Sequence, residues 1–264
     1  MREYVEDLTG ELRADAISDA MHVQNIRIDI FDLLDSTNLE ARRQADRGMS
    51  APALIVASAQ SEGRGRLGRS FYSPAHAGLY MSLLLEASDN SADNVRLTTA
   101  TAVAVAESID ELCGIATEIK WVNDIYLGGR KICGILCESF TSAIGKRYAV
   151  VGIGLNLRAS DFPDDIREKA SSLCLEEDMR ADFAARITDT LLRFWNDISS
   201  PEIIGYYREH SAVLGKRIAF TECGTEYLGL AETIDEYGRL TVLVDGGDRR
   251  VLSSGEISLR KTDA

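Results

Sequence analysis

The chain has 264 residues, of which 45% are hydrophobic and 27% charged, an ordinary composition for a folded protein with a sizeable core. Its formal net charge of −13 opposes general binding to nucleic acid, because phosphates are negative, but leaves room for one local basic site. The acidic N-terminus lacks the apolar core of a signal peptide, and no run approaches the roughly 18 apolar residues of a membrane span. The number of cysteines is odd, which predicts reduced thiols in a cytoplasmic protein.

The first half of the chain alternates between helix-like and strand-like segments. The pattern Thr37-x-x-Glu40 has the spacing of a capping box and predicts the start of a helix. Two apolar runs of strand length enclose a polar, basic loop at 61–76, and a loop of that length inside a compact domain is usually functional. The predicted elements are a helical lead-in at 1–28, a strand at 31–34, a helix from Thr37 to Gly48, strands at 53–60 and 78–85, and a helix at 91–113.

The second half contains more strands and ends in a run of short ones. Gly128-Gly129 predicts a tight hairpin, and five short segments separated by glycine-containing turns after residue 210 predict a small barrel. We therefore expect a mixed α+β domain at 1–210 and a small β domain at 211–264. The predicted elements are strands at 117–121, 124–127, 131–140 and 147–157, helices at 179–198 and 203–210, and strands at 217–221, 227–235, 240–244, 249–253 and 257–260.

The loop at residues 63–69, which we call the arginine-glycine loop, alternates three arginines with three glycines. Glycine allows the backbone to approach a ligand closely, and arginine offers a planar fork of donors to carboxylate or phosphate. The alternative is that the loop is a flexible arginine-glycine segment that contacts nucleic acid or nothing. Its single copy, between two apolar strands of an acidic protein, favours an anion-binding loop.

Three further segments carry polar or space-making residues at strand ends. Lys120, Asn123 and Lys131 surround the predicted hairpin, where they either bind an anion or lie in solvent. The sequence Asp35-Ser-Thr-Asn38 indicates a helix start, which caps the helix and also offers donors to a small ligand. Residues 151–156, Val-Gly-Ile-Gly-Leu-Asn, place glycines at alternate positions of a strand, which leaves space for something to lie against it.

The cysteines Cys133 and Cys137 have a CxxxC spacing, but they lie in an apolar strand and no histidine has a matching zinc spacing. We therefore expect no structural metal. GxxxxGK[ST] is absent from the sequence, which excludes a P-loop nucleotide site.

Taken in order, these segments resemble the biotin–protein ligases. The resemblance rests on Ser-Thr-Asn at 36–38, Gln60 before Gly-Arg-Gly-Arg-x-Gly-Arg, Phe-x-Ser-Pro at 71–74, Lys-Trp-x-Asn-Asp at 120–124, Gly-Arg-Lys-x-x-Gly-Ile-Leu at 129–136, Gly-Ile-Gly-x-Asn at 152–156 and Gly-Glu-Ile-Ser-Leu-Arg at 255–260. It implies a class II synthetase-like catalytic fold with a mixed sheet, followed by a small SH3-like β-barrel. It also implies that biotin and ATP, with Mg²⁺, form biotinyl-5′-AMP, and that the biotin is transferred to a lysine of a carboxylase's biotin carboxyl carrier domain.

The same resemblance implies roles for individual residues, with Arg66, Lys131 and Lys120 as the catalytic cations and no assigned metal ligand. The implied biotin-binding residues are Ser36, Thr37, Asn38, Gln60, Gly63, Arg64, Gly65, Arg66 and Lys131, with Gly134 and Gly152 making room for the bicyclic ring. The implied nucleotide-binding residues are Arg69, Phe71, Lys120, Asn123, Asn156 and Arg260.

Two departures from the family pattern modify this expectation. Many relatives have proline where this chain has Val122, between Trp121 and Asn123. Bifunctional relatives carry an N-terminal helix-turn-helix domain of about sixty residues, and some thirty residues precede the Ser-Thr-Asn segment here, so we expect a ligase that does not bind specific DNA. The alternatives are a lipoate or octanoate ligase and a non-catalytic, ligand-sensing repressor. A strand edge could serve a homodimer as well as carrier docking.

Overall fold

A computed structural model describes residues 12–87, 93–158 and 161–259. The predicted helical lead-in lies partly outside this range, and its described part is α1 (Ala14–Ala20). The remaining helices are α2 (Thr37–Asp46), α3 (Asp93–Cys113), α4 (Arg180–Asn196) and α5 (Pro201–Glu209). The strands are β1 (Arg27–Leu34), β2 (Ala53–Gln60), β3 (Gly78–Glu86), β4 (Glu118–Lys120), β5 (Asp124–Leu127), β6 (Arg130–Thr141), β7 (Arg147–Asn156), β8 (Arg217–Glu222), β9 (Thr225–Ile234), β10 (Leu240–Val244), β11 (Arg249–Leu252) and β12 (Ile257–Leu259).

Seven strands form one mixed sheet in the order β1-β2-β3-β7-β6-β5-β4. Only the β1–β2 pair is parallel among these described strands, because α2 connects them, and the other neighbours are antiparallel. Gly128 and Gly129, both at positive φ, form the predicted tight turn between β5 and β6. The sheet with its helices confirms the predicted α+β class.

The two faces of this sheet are covered differently. Helices α1, α3 and α4 pack together on one side, over apolar residues such as Val151 and Ile153 of β7. Helix α2 packs on the other side, where its Ala41 and Ala45 meet Val150 of the same strand. Because side chains alternate along a strand, the positions after Val150 on the α2 side are Gly152 and Gly154. These lie beyond the apolar part of α2, so the fold leaves a half-covered sheet face there.

The predicted small barrel is a five-stranded antiparallel sheet in the order β11-β10-β9-β8-β12. Its apolar residues, including Phe220 and Val242, belong to the same buried cluster as those of the large sheet. The Trp121 indole also donates a hydrogen bond of 2.9 Å to the carbonyl of Gly238, in the turn between β9 and β10. The predicted boundary at residues 210 and 211 lies between α5 and β8 and stays a prediction.

The expected capping box at the start of α2 is wrong. Ser36 is the residue before the helix and makes no side-chain cap, and Thr37 is the first helical residue. The Glu40 carboxylate accepts a hydrogen bond from Arg43 instead. Thr37 therefore keeps its hydroxyl for partners on the neighbouring strands. Within the described residues, no helix combines the length and apolarity needed to cross a membrane.

Candidate active site

A cavity of about 540 Å³ lies on the half-covered sheet face. Every predicted site residue lines it except Gly63 and Arg260, and Arg260 lies outside the described residues. The residues that line it from the predicted set are Ser36, Thr37, Asn38, Gln60, Arg64, Gly65, Arg66, Arg69, Phe71, Lys120, Asn123, Lys131, Gly134, Gly152 and Asn156.

One end of the cavity, which we call the head pocket, is built from buried polar side chains at the start of α2. Ser36, Thr37 and Asn38 are at most 4% exposed. The backbone N–H of Thr37 donates to Gln60 Oε1 at 2.9 Å, and Gln60 Nε2 donates to Ser73 Oγ at 2.9 Å. Since buried polar groups need partners, this network fixes the orientation of each group before any ligand arrives.

Ser82 was not among the predicted site residues, and it supports the head pocket from the sheet. It is fully buried in β3, and its hydroxyl lies 2.7 Å from Asn38 Oδ1 and 2.8 Å from Thr37 Oγ1. A serine in an otherwise apolar strand, Gly-Leu-Tyr-Met-Ser-Leu-Leu-Leu-Glu, was the available signal. A buried polar residue in such a strand must have a partner.

The glycines on this sheet face make room for side chains of the site itself. A Cβ atom on Gly152 would lie 2.1 Å from Asn38 Oδ1, and one on Gly154 would lie 2.4 Å from the Phe71 ring. A Cβ on Gly134 would lie 3.0 Å from Lys131 Nζ. Gly152 therefore lets Asn38 approach the sheet, and Gly134 does the same for Lys131. These side chains border the space that we expect the bicyclic ring to occupy.

The arginine-glycine loop lies above the cavity, and backbone hydrogen bonds between its two ends close it. The N–H of Gly65 donates to the carbonyl of Arg69 at 2.7 Å, and the N–H of Phe71 donates to the carbonyl of Gly63 at 2.7 Å. Gly63 is required at this position because a Cβ there would lie 2.3 Å from the Phe71 carbonyl oxygen. At the tip, Leu67 is 73% exposed and has a φ of 54°, a left-handed conformation.

The arginines of the loop have different partners. Arg66 reaches across the cavity and donates to Asn123 Oδ1 at 3.0 Å. Arg69 points toward the small sheet and donates to Glu256 Oε2 at 2.6 Å. Arg64 lines the cavity and is exposed. Arg66 is therefore the arginine that links the loop to the lysine-bearing strands.

Lys120 and Lys131 enter the cavity from β4 and β6. Lys131 Nζ donates to Asp124 Oδ1 at 2.7 Å and lies 6.0 Å from the centre of the Phe71 ring. Lys120 Nζ lies 3.4 Å from the Tyr126 hydroxyl, and burial raises the pKa of that phenol. Both lysines and Arg66 face one region, which makes this end of the cavity cationic in an acidic protein.

A segment after β7, residues 169–171, closes the far wall of the cavity. Lys131 N–H donates to the Lys169 carbonyl at 2.8 Å, and Ser171 N–H donates to the Lys131 carbonyl at 2.8 Å. The Asn156 amide donates to the Ser171 carbonyl at 2.9 Å. This wall brings Lys169, which sequence analysis did not single out, to the cavity.

Sequence profiles of two families match the chain. The Biotin/lipoate A/B protein ligase family matches residues 31–156, which carry the head pocket, the loop and both lysines. The Biotin protein ligase C terminal domain matches residues 213–260, the small sheet.

Individual relatives cover most of the chain. The bifunctional ligase/repressor BirA of Bacillus subtilis is 31% identical over 231 residues, which is 84% of this chain and 71% of that protein. The biotin–[acetyl-CoA-carboxylase] ligase of Mycobacterium tuberculosis is 30% identical over 244 residues, 88% of each. The biotin protein ligase of Aquifex aeolicus, solved with biotin and ATP, superimposes with a TM-score of 0.72 at 27% identity over 89% of this chain and 99% of that one. The chain belongs to the biotin protein ligase family.

Proposed function

We infer that this chain is an ATP-dependent biotin–protein ligase. It forms biotinyl-5′-AMP from biotin and ATP and then transfers the biotin to a lysine of a biotin carboxyl carrier domain. The observation that carries this inference is one continuous cavity, which joins a buried polar head pocket to a cationic region. A ligand that has both a polar cyclic head and a carboxylate tail fits such a site from end to end.

In the first step, a carboxylate oxygen of biotin attacks the α-phosphorus of ATP, and the bond to the β-phosphate breaks to release pyrophosphate. Both reactants are anions, so the barrier is largely electrostatic. Arg66, Lys120 and Lys131 supply fixed positive charge where the negative charge develops, and Mg²⁺ enters with ATP on its phosphates. In the second step the lysine amine attacks the acyl carbon and AMP leaves, so no covalent enzyme intermediate is needed.

The head pocket favours biotin over lipoate or octanoate. Its walls are the hydrogen-bonding groups of Thr37 and Asn38, which are buried, and of Gln60, which is half-buried. A dithiolane ring or an alkyl chain would leave these groups without ligand partners, which is costly in a buried site.

The acceptor is a carrier domain of a carboxylase, as the names of the relatives indicate. We propose in addition that the chain binds no specific DNA, which its net charge of −13 supports. A homodimer through a strand edge stays a prediction, and sedimentation velocity with and without biotin and ATP would test it.

The test of function is incubation of the purified chain with MgATP and one acid at a time. We expect pyrophosphate release and an acyl-adenylate with biotin, and transfer of biotin to a purified biotin carboxyl carrier domain when it is added. Pyrophosphate release with lipoate or octanoate but not with biotin would contradict the proposal. Specific operator binding in a gel shift at physiological salt would support the repressor alternative.

A further inference from the structure

A chain of hydrogen bonds connects Glu138, on β6, to the Thr37 hydroxyl in the head pocket. The Asn38 amide nitrogen donates to Glu138 Oε2 at 3.0 Å and to the Leu136 carbonyl at 3.2 Å. Asn38 Oδ1 lies 2.7 Å from Ser82 Oγ, and the hydroxyl oxygens of Ser82 and Thr37 lie 2.8 Å apart. Both donors of the Asn38 amide are thereby used inside the protein.

The direction of this chain follows from counting protons. A carboxylate and a backbone carbonyl can only accept, so Glu138 and Leu136 hold the NH₂ group of Asn38 on their side. The amide oxygen then faces Ser82 and can only accept, which takes the single hydroxyl proton of Ser82. The hydroxyl proton of Thr37 has two acceptors, Ser82 Oγ at 2.8 Å and Gln60 Oε1 at 3.2 Å, and with either of them it stays within the protein.

The sheet holds Asn38 in this arrangement from below. Gly152 of β7 is paired with Ser82 of β3 on one side and with Leu136 of β6 on the other. The three residues form a row beneath the Asn38 side chain, and a Cβ on Gly152 would lie 2.1 Å from Asn38 Oδ1. Glu138 is one same-face position further along β6, and its side chain is 23% exposed.

We propose that Glu138 is a positioning residue that sets the hydrogen-bond polarity of the head pocket. With the Asn38 NH₂ and the two hydroxyl protons committed inward, Asn38 Oδ1 and Thr37 Oγ1 offer lone pairs to a ligand. An acceptor pocket is complementary to a ligand head that carries N–H donors, such as the two N–H groups of a cyclic urea. This inference rests on the proposed function, and it names the residue that adapts the pocket to such a head.

Asn38 is the main partner of Glu138. The charged group that faces the carboxylate is Arg42 of α2, whose guanidinium lies 3.9 Å away and also stacks 4.5 Å from the centre of the Phe140 ring. A partly exposed ion pair at that distance contributes little. The Arg42→Ala variant therefore separates the loss of the ion pair from the loss of the acceptor for Asn38.

The experiment measures biotin affinity by calorimetry and the KM for ATP by pyrophosphate exchange, for the wild type and three variants. Glu138→Ala should weaken biotin binding roughly tenfold or more, the effect of losing one charge-assisted hydrogen bond, while the KM for ATP changes less than about twofold. Glu138→Gln keeps an acceptor oxygen and should stay within roughly threefold of the wild type. Arg42→Ala should bind biotin like the wild type.

Each outcome decides one proposal. Unchanged biotin affinity in Glu138→Ala would overturn the proposal that Glu138 sets the polarity of the head pocket. An equal loss of affinity in Glu138→Gln would also overturn it, because the charge alone would then matter. A parallel rise in the KM for ATP would overturn it as well, because the damage would then be general. If Glu138→Ala does not fold, Ser82→Ala removes the next member of the chain and should weaken biotin binding selectively. A wild type that does not bind biotin would refute the proposed function itself, whatever the variants do.

Discussion

The guanidinium of Arg66 donates a hydrogen bond of 3.0 Å to the amide oxygen of Asn123, 57 positions later in the chain. Asn123 is held in turn by the backbone of Ile135, since its Nδ2 donates to that carbonyl at 2.9 Å. The arginine-glycine loop is thus attached to the strands that carry the two lysines. Arg66 therefore connects the loop, which lies over the cavity, to Asn123 on the opposite side of the cavity.

Arg66→Ala is expected to release the acyl-adenylate into solution faster than the wild type does. The loop would lose its contact with Asn123, and the rate should rise roughly tenfold, which is the equivalent of one charge-assisted hydrogen bond. Chromatography of biotinyl-AMP after rapid filtration measures this. The matched control is Arg130→Ala, because Arg130 is an exposed arginine at the start of β6 that does not line the cavity, and its removal should leave leakage unchanged. Equal leakage from Arg66→Ala and the wild type would refute the role of Arg66.

Lys131→Ala is expected to slow adenylate formation by about two orders of magnitude, as the loss of one preorganised charge does in other electrostatic sites. Lys131 is held 2.7 Å from Asp124, so its ammonium group is positioned in advance. Single-turnover formation of biotinyl-AMP measures the effect. Lys146→Ala, an exposed lysine in the turn between β6 and β7, is the control and should be unaffected. A near wild-type rate in Lys131→Ala would return this lysine to a role on the hairpin surface.

Gly152→Ala is expected to impair biotin binding while it leaves ATP binding intact. The added methyl group would lie 2.1 Å from Asn38 Oδ1, so the amide must leave its hydrogen bonds. We expect roughly tenfold weaker biotin affinity or a larger loss, measured by calorimetry. Gly205→Ala is the control, because a Cβ there meets nothing within 4 Å, and in helix α5 it should stabilise the protein by about 0.5–1 kcal/mol. If Gly152→Ala binds biotin normally, Asn38 does not need this position.

Asp35 is expected to make a stabilising contribution that disappears in acid. Hydrogen bonds from Arg43 lower the pKa of this carboxyl to about 2 from its usual 3.8. A pKa that is lower in the folded state means that the contribution is present above about pH 4 and is lost as the pH falls toward 2. Asp35→Asn should therefore have a lower Tm than the wild type at pH 7, and the difference should narrow below pH 4. Asp161→Asn, at an exposed aspartate, should show no such narrowing.

Much of the architecture could be predicted from the sequence, because apolar runs and glycine-containing turns report local structure directly. The strand predicted at 53–60 has the bounds of β2, Ala53–Gln60. The strand predicted at 31–34 begins earlier, at Arg27, because Ile28 and Ile30 alternate with Arg27 and Asp29 and pack against the core, a period-two pattern that the prediction did not use. The capping box was wrong because Thr37 finds better partners on β2 and β3 than on its own helix.

Most residues of the site could be predicted, but the hydrogen bonds between them could not. Only the family resemblance predicted that Ser36–Asn38, the arginine-glycine loop and the two lysines belong to one site, because their spacing in the sequence does not show it. The roles of Ser82 and Glu138 depend on the register of β3, β7 and β6, which places Ser82 and Leu136 on either side of Gly152 and Glu138 opposite Val150. Register between strands that are seventy residues apart is a property of the folded sheet, and no local pattern encodes it.

The shared core has a consequence for cooperativity. Ile218, Phe220 and Val242 of the small sheet pack in the same cluster as the large sheet, and Gly238 accepts the hydrogen bond of Trp121. Two sequence segments that match separate family profiles are therefore expected to melt together, in a single calorimetric transition. A chain shortened at residue 210 would lose part of its interior along with the small sheet, and Trp121, which lies between Lys120 and Asn123 in the sequence, would lose its hydrogen bond to Gly238.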